Sequence, residues 1–220
     1  MDPERFPCQL VSWDEAYELA RKLANKIKAS QFHPDLIIAI GRGGYVPARV
    51  VCDYLLYSLL TSIKIEHWDI AASRREEATV RFPLTVDVHG KSILIIDDVT
   101  DTGDTLRTAV DYVKGQGAED IKTGVLQHKT TSSFVPDFCA EIIREWRWII
   151  YPWAAHEDLV GFSERVLSDE LCTVEDIRAS LKERYGLAVE ENRLEEVLDD
   201  LIRMRKAERV DGKYRKIKGE

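Results

Sequence analysis

The chain has 220 residues, 45% of them apolar, a net charge of −8 and four cysteines. That length supports one full core with room for a small appendage; no apolar run approaches the length of a bilayer crossing, and the opening MDPERFPCQL has neither the basic end nor the apolar stretch of a secretory signal, so a cytoplasmic globular protein with no membrane span is expected. Cys8, Cys52, Cys139 and Cys172 form no Cys-x-x-Cys pair and suggest neither a zinc site nor a disulfide framework, while the acidic balance argues against general nucleic-acid binding and asks for focused positive groups or a metal at any anionic substrate.

Ser12 followed three residues later by Glu15 is a capping-box signature, and Ala16, Leu19, Ala20, Leu23, Ala24 and Ile27 repeat behind it at helical spacing. Leu36 to Ile40 is a short apolar run that ends in Gly41-Arg42-Gly43-Gly44, after which Val46, Val50, Val51, Tyr54 and Leu55 resume a helical period. A strand, a glycine turn and a helix are expected there. Ile63, Ile65 and Trp68 read as a further strand, and the polar stretch Asp69 to Arg81, with no apolar face to bury, as an exposed mobile loop or ribbon. Ile93 to Ile96 is again wholly apolar, breaks into DDVTDTG, and leads into Leu106, Ala109, Val110 and Val113, closed by Gly115 and Gly117. Val125-Leu126 and Trp148 to Tyr151 mark later strands. This alternation predicts an α/β fold over residues 1–167, a mainly parallel twisted sheet with helices on both faces. Beyond Val166 the pattern changes: Thr173 to Tyr185 and Glu191 to Lys206 read as helices, and Val210 and Tyr214 flank the hairpin signal Asp211-Gly212. Residues 168–220 are expected to form a small C-terminal module of winged-helix type.

The chemistry concentrates in Ile93 to Leu106, ILIIDDVTDTGDTL. In an open parallel sheet, ligands bind beyond the carboxyl ends of strands, where helix N-termini offer free N–H groups to anions. Thr102, Gly103, Asp104 and Thr105 fall at the junction of loop and helix, with Gly103 permitting close backbone approach and the two threonines supplying hydroxyl donors to a phosphate. Asp97 and Asp98, at the strand end, suit sugar hydroxyls or Mg²⁺, with Thr100 and Asp101 in the loop between. An ordinary turn with Asp101 as a helix N-cap is the bland alternative, against which stands the coincidence of apolar strand, paired acids, third acid and Thr-Gly in one short run.

This segment closely resembles the phosphoribosyl-pyrophosphate (PRPP) binding motif of the type I phosphoribosyltransferases. Gly41-Arg42-Gly43-Gly44 looks like that family's pyrophosphate loop, in which the peptide bond before the arginine or lysine is often cis, making Gly41–Arg42 a candidate for a non-proline cis link. Asp69 to Arg81 falls where the family carries a catalytic lid, with Ser73 and Arg74 toward the pyrophosphate. Within the family, the 6-oxopurine subgroup (guanine, hypoxanthine, xanthine) places a lysine after the next strand. Here LQHKTTSSFVPDF supplies Lys129, whose ammonium would donate to the oxygen at purine C6 and so discriminate against adenine. Trp148 resembles the aromatic that stacks on the base, and Ile149 follows it where backbone groups approach the purine 2-position. The subgroup usually has an acid shortly afterwards that contacts a second Mg²⁺; this chain has Ala154 and Ala155 there, and Glu157 is the nearest substitute. Trp146 and Trp153 read as packing residues.

The resemblance implies purine salvage: PRPP and a 6-oxopurine give a nucleoside monophosphate and pyrophosphate, with Mg²⁺ as cofactor, Arg42 on the departing pyrophosphate, Asp101 near purine N7 to take its proton, and a homo-oligomeric assembly. An alternative of another class is a PRPP-sensing transcription regulator that reads DNA through the C-terminal module, where Arg203, Arg205, Lys206, Arg209, Lys213, Arg215, Lys216 and Lys218 crowd together. A receiver-type signalling domain would use Asp97, Asp98 and Lys129 but leaves Thr102 to Thr105 unexplained.

Overall fold

The structure, a computed structural model, describes residues 5–68 and 74–217. In chain order the elements are β1 (Cys8–Leu10), α1 (Trp13–Ala29), β2 (Leu36–Gly41), α2 (Tyr45–Leu55), β3 (Leu60–Trp68), β4 (Arg74–Phe82), β5 (Ser92–Thr100), α3 (Asp104–Gly115), β6 (Asp120–Lys129), β7 (Phe138–Ile143), β8 (Trp148–Ile150), α4 (Ala155–Val166), α5 (Val174–Tyr185), α6 (Glu191–Arg203), β9 (Ala207–Val210) and β10 (Lys213–Lys216). They fall into two compact units, one of residues 12–68 and 74–146, the other of residues 5–11 and 147–217. Among the described residues no helix is long and apolar enough to cross a membrane.

The first unit holds a six-stranded sheet in the order β4-β3-β2-β5-β6-β7, parallel throughout except where β4 runs antiparallel to β3. The Ser12 capping box closes in both directions at the start of α1, whose buried residues are Ala16, Leu19, Ala20, Leu23, Ala24 and Ile27, the set spaced helically in the sequence. Alternation along β5 sends Ile93 and Ile95 to one face, where they join Leu106, Ala109 and Val113 of α3 and Val125 of β6 in one core. Leu94 and Ile96 go to the other face, equally buried; there Ile96 and Leu23 of α1 both close on Gly124, which has no Cβ to obstruct them. With both faces covered, β2 is buried along its whole length, as its unbroken apolar run requires.

One expectation is narrowed and one is corrected. Of the two readings offered for Asp69 to Arg81, a loop or a ribbon, the described part is the ribbon, with Arg74 onward in the edge strand β4 antiparallel to β3; residues 69–73, which include Ser73, lie outside the described residues. The strand at Trp148 does not extend the main sheet: β8 pairs in parallel with β1, Cys8 opposite Trp148 and Leu10 opposite Ile150, in a separate two-stranded sheet of the second unit.

That second unit also contains α4, α5, α6 and the antiparallel pair β9–β10. The turn between those strands is Asp211-Gly212, both at positive φ (49° and 78°), the backbone that a two-residue hairpin of this composition favours. Cys172 adds a bridge to Tyr214. Phe6, Phe162 and Tyr185 pack ring against ring, with centroids 4.6–5.9 Å apart, tying the first described residues to α4 and α5. The line drawn at residue 167 in the sequence marks the end of α4, whereas the two units divide at Trp146/Arg147.

Candidate active site

β5 runs into α3 through the loop Asp101-Thr102-Gly103, which lies beyond the carboxyl edge of the parallel strands. Gly103 is the residue before α3 and sits at φ 94°, a left-handed conformation that side-chain-bearing residues avoid. A Cβ there would also lie 2.5 Å from Phe134 Cβ and 2.7 Å from Ser132 Oγ. The N-cap Gly103 has no side chain with which to cap α3, and the first N–H of the helix, that of Asp104, donates weakly to Thr102 Oγ1 at 3.4 Å; a helix N-terminus of this kind is suited to anion capture. The segment after β6 is stitched to this loop: Ser133 N–H and its hydroxyl both donate to the Thr102 carbonyl at 3.0 Å, and Arg107 donates to Ser133 Oγ at 3.0 Å. Thr102 Oγ1 in turn donates to the Asp104 carboxylate at 2.8 Å.

Asp97 continues the buried face of Ile93 and Ile95 and is 7% exposed. Burial first, and then the adjacent Asp98 charge, push its carboxyl well above the ordinary carboxylate range, although the Asp98 N–H donates to it at 3.0 Å. Asp98 alternates to the opposite face and turns its carboxylate against Gly43, where any Cβ would collide with it. This close approach brings the Gly41-Arg42-Gly43-Gly44 turn onto the end of β5, and the Gly41–Arg42 peptide is cis, as the motif led us to expect. Arg42 is exposed at that turn, and Gly44 leads directly into α2, with no side-chain cap on its N-terminus. Thr100, by contrast, is 2% exposed and its hydroxyl has no hydrogen-bond partner among the described residues.

Lys129, at the end of β6, is a lysine enclosed to 2% exposure and paired with Asp101 at 2.9 Å. Trp146, expected as packing, completes this cluster. Its indole N–H donates to the other Asp101 oxygen at 3.0 Å, and its ring lies 4.7 Å from the Lys129 ammonium. No local pattern signals this contact, because Trp146 stands in an irregular segment after β7 with no periodicity to aim it. Arg42, Gly43, Gly44, Asp97, Asp98, Thr100 to Thr105 and Lys129 thus share the first unit.

Trp148, Ile149 and Glu157 belong to the second unit. There Trp148 Nε1–H donates to Asp158 at 3.1 Å, Ile149 is buried, and Glu157 is half-buried in the first turn of α4. The link from Trp148 to Asp158 is likewise invisible to local pattern, since it joins β8 to the first turn of α4 across ten residues. Trp153 stacks on Tyr151 at 4.8 Å, a packing role as expected.

A mainly parallel sheet with paired acids, a helix N-terminus and a glycine turn gathered at its carboxyl edge defines an α/β protein of the class whose ligands bind beyond the strand ends. Residues 9–158 match the phosphoribosyl transferase domain, and the chain belongs to that family. It is 29% identical to a xanthine-guanine phosphoribosyltransferase of Idiomarina loihiensis over 66% of this chain and 86% of that protein. It is 34% identical to a hypoxanthine-guanine phosphoribosyltransferase of Saccharomyces cerevisiae over 52% of this chain and 58% of that one. The solved structure of a purine phosphoribosyltransferase from Pyrococcus horikoshii superposes with a TM-score of 0.56 at 31% identity, covering 66% of this chain and 93% of that chain.

Proposed function

We propose that the protein transfers the 5-phosphoribosyl group of PRPP to a 6-oxopurine, giving a nucleoside monophosphate and pyrophosphate in cytoplasmic purine salvage. The observation that carries this reading is the buried Lys129–Asp101 pair at the edge of the phosphate loop. An ammonium has three donors, so Lys129 can keep Asp101 on one and offer another to the oxygen at purine C6. Adenine presents an amino donor there and leaves that N–H unpaired, a costly mismatch in an enclosed site.

In the transfer, purine N9 forms the new bond to C1′ of the ribose. The C1′–oxygen bond to pyrophosphate breaks with its electron pair on the leaving oxygen, and the proton on N7 passes to Asp101. Thr102, Gly103, Asp104 and Thr105 hold the 5′-phosphate at the α3 terminus, Thr105 through its hydroxyl and the others chiefly through backbone. Arg42, Gly43 and Gly44 receive the pyrophosphate, and Asp97 and Asp98 hold the ribose. Mg²⁺ fits the donor type: the Asp97 and Asp98 carboxylates are hard oxygen ligands on opposite faces of β5, the first pushed up by burial and its neighbour's charge, and a divalent cation held by either would relieve the repulsion between them. When bound, the ion would neutralise pyrophosphate charge as the bond breaks. On sequence grounds alone, Trp148 is retained as the stacking aromatic, Ile149 as a backbone contact to the base, and Glu157 as a second metal ligand.

The DNA-reading alternative gains nothing from the charge pattern. Arg203 pairs with Asp200, Lys206 with Glu164 and Arg215 with Glu208, while Arg209 lies over the Tyr214 ring. The exposed face of α6 carries Glu191, Glu195, Glu196 and Asp199.

The test is to supply PRPP and Mg²⁺ with guanine, hypoxanthine, xanthine or adenine in turn and measure pyrophosphate and nucleotide. Turnover with one or more 6-oxopurines and at most a trace with adenine is expected. Equal use of adenine would remove the Lys129 argument, and no turnover with any base would remove the enzymatic reading.

A further inference from the structure

We propose that Trp146 is a positioning residue that locks the two base-reading groups, Asp101 and Lys129, into one unit; the proposal rests on the purine-transfer reading above. A single side chain touches both. The indole N–H occupies Asp101 Oδ1 at 3.0 Å while Lys129 occupies Oδ2 at 2.9 Å, and the ring face lies 4.7 Å from the same ammonium. Asp101 is therefore held at both oxygens, which fixes the rotation of its carboxylate, and Lys129 is held from two directions.

The residue type matters because the pair is enclosed, with side-chain exposures of 2% for Lys129 and 9% for Asp101. A cationic residue in place of Trp146 would compete with Lys129 for the carboxylate, and an acidic one would compete with Asp101 for the ammonium. Either would leave a net charge in a poorly solvated site, which is costly. An indole satisfies both partners without adding charge: it donates one N–H to the anion and presents its electron-rich face to the cation. It also outlasts the chemical step. Once the purine proton reaches Asp101, the carboxyl is neutral and no longer balances Lys129. The ring face of Trp146 still does, so Lys129 stays in place on the C6 oxygen until product leaves.

Trp146→Phe keeps a ring for the ammonium and deletes the N–H, whereas Trp146→Leu deletes both. A hydrogen bond to a charged group contributes enough that its loss should lower kcat about tenfold in Trp146→Phe, with KM for PRPP unchanged and KM for the base moving less than about twofold. Trp146→Leu should add a several-fold rise in KM for the base. In an Asp101→Asn background, Trp146→Phe should cost nothing further, because its action runs through that carboxylate. Wild-type kinetics in Trp146→Phe, an undiminished loss in the Asp101→Asn background, or a change in KM for PRPP of the same size would each overturn the proposal.

A readout independent of turnover accompanies these. The Nε1–H resonance of Trp146, assigned by its loss in Trp146→Phe, should shift in Asp101→Ala; an unmoved resonance also overturns the proposal. If the wild type turns over no 6-oxopurine, the purine reading fails by itself, while normal turnover with an indifferent Trp146→Phe variant removes only the role of Trp146.

Discussion

Burial and the charge of Asp98 hold the Asp97 carboxyl well above its ordinary range, and this has a consequence for stability that can be signed. A carboxyl whose folded pKa is raised binds its proton more tightly in the native state. Its contribution is therefore fully present below the unfolded value, about 3.9, and is lost as pH rises through the raised folded value. At neutral pH, without metal or PRPP, Asp97 is a liability that the binding of a cation would offset. Asp97→Asn should then melt at the same temperature as wild type near the unfolded pKa. It should melt higher at neutral pH, by a few degrees if the relief is of order 1 kcal/mol, since a chain of this length gains about 2–4 °C per kcal/mol. Calorimetry of the metal-free protein across that pH range decides it, and a difference that does not grow with pH would exclude this origin. The acid pair was legible as a motif, but its asymmetry was not: which of two neighbouring aspartates lies in the core follows from the alternation of β5 against α3, and that needs the sheet.

At the scale of the element, α3 presents a conflict between its terminus and its first residue. An uncapped helix N-terminus attracts anions, yet Asp104 already places a carboxylate in that first turn and accepts the Thr102 hydroxyl at 2.8 Å. An incoming phosphate must compete with Asp104 for both the dipole and the hydroxyl. Asp104→Ser should accordingly lower KM for PRPP by about two- to fivefold, the size of a single terminal charge effect, and leave kcat near its wild-type value. Steady-state kinetics at varied PRPP check this, and a raised KM would mean that Asp104 assists binding. Elements with strong local signals were legible, among them the capping box of α1, the glycine turn before α2 and the hairpin turn of β9–β10. Those without were not. β7 carries exposed Glu141 and Ile142 at the sheet edge and so shows no clean alternation. α4 starts without a side-chain cap and has Gly161 in its middle. β1 is three residues long and is defined only by its partner β8.

At the scale of the whole molecule, the C-terminal module is bound into its unit by long-range contacts that no local pattern announces. Phe6 lies near the start of the chain, Phe162 in α4 and Tyr185 at the end of α5, and the three rings meet with Tyr185 1% exposed. The Phe6 N–H also donates to the Arg184 carbonyl at 3.1 Å, and Lys206 reaches back to Glu164 in α4 at 2.6 Å. Helices and hairpin could be read from periodicity and turn residues, but their attachment depends on partners far away in sequence, which is why a boundary at 167 was the natural reading. If α4, the module and the N-terminal strand share one core, removing the central ring should destabilise all of them together. Tyr185→Ala should cost about 3–5 kcal/mol, as for other large aromatic truncations, and lower the melting temperature by more than about 5 °C at this chain length. Tyr185→Phe, which keeps the ring, should lose far less. Hydrogen exchange in Tyr185→Ala should rise across β1, α4 and α5 alike; acceleration limited to α5 would instead describe a module that folds and unfolds independently of the strands and helix before it.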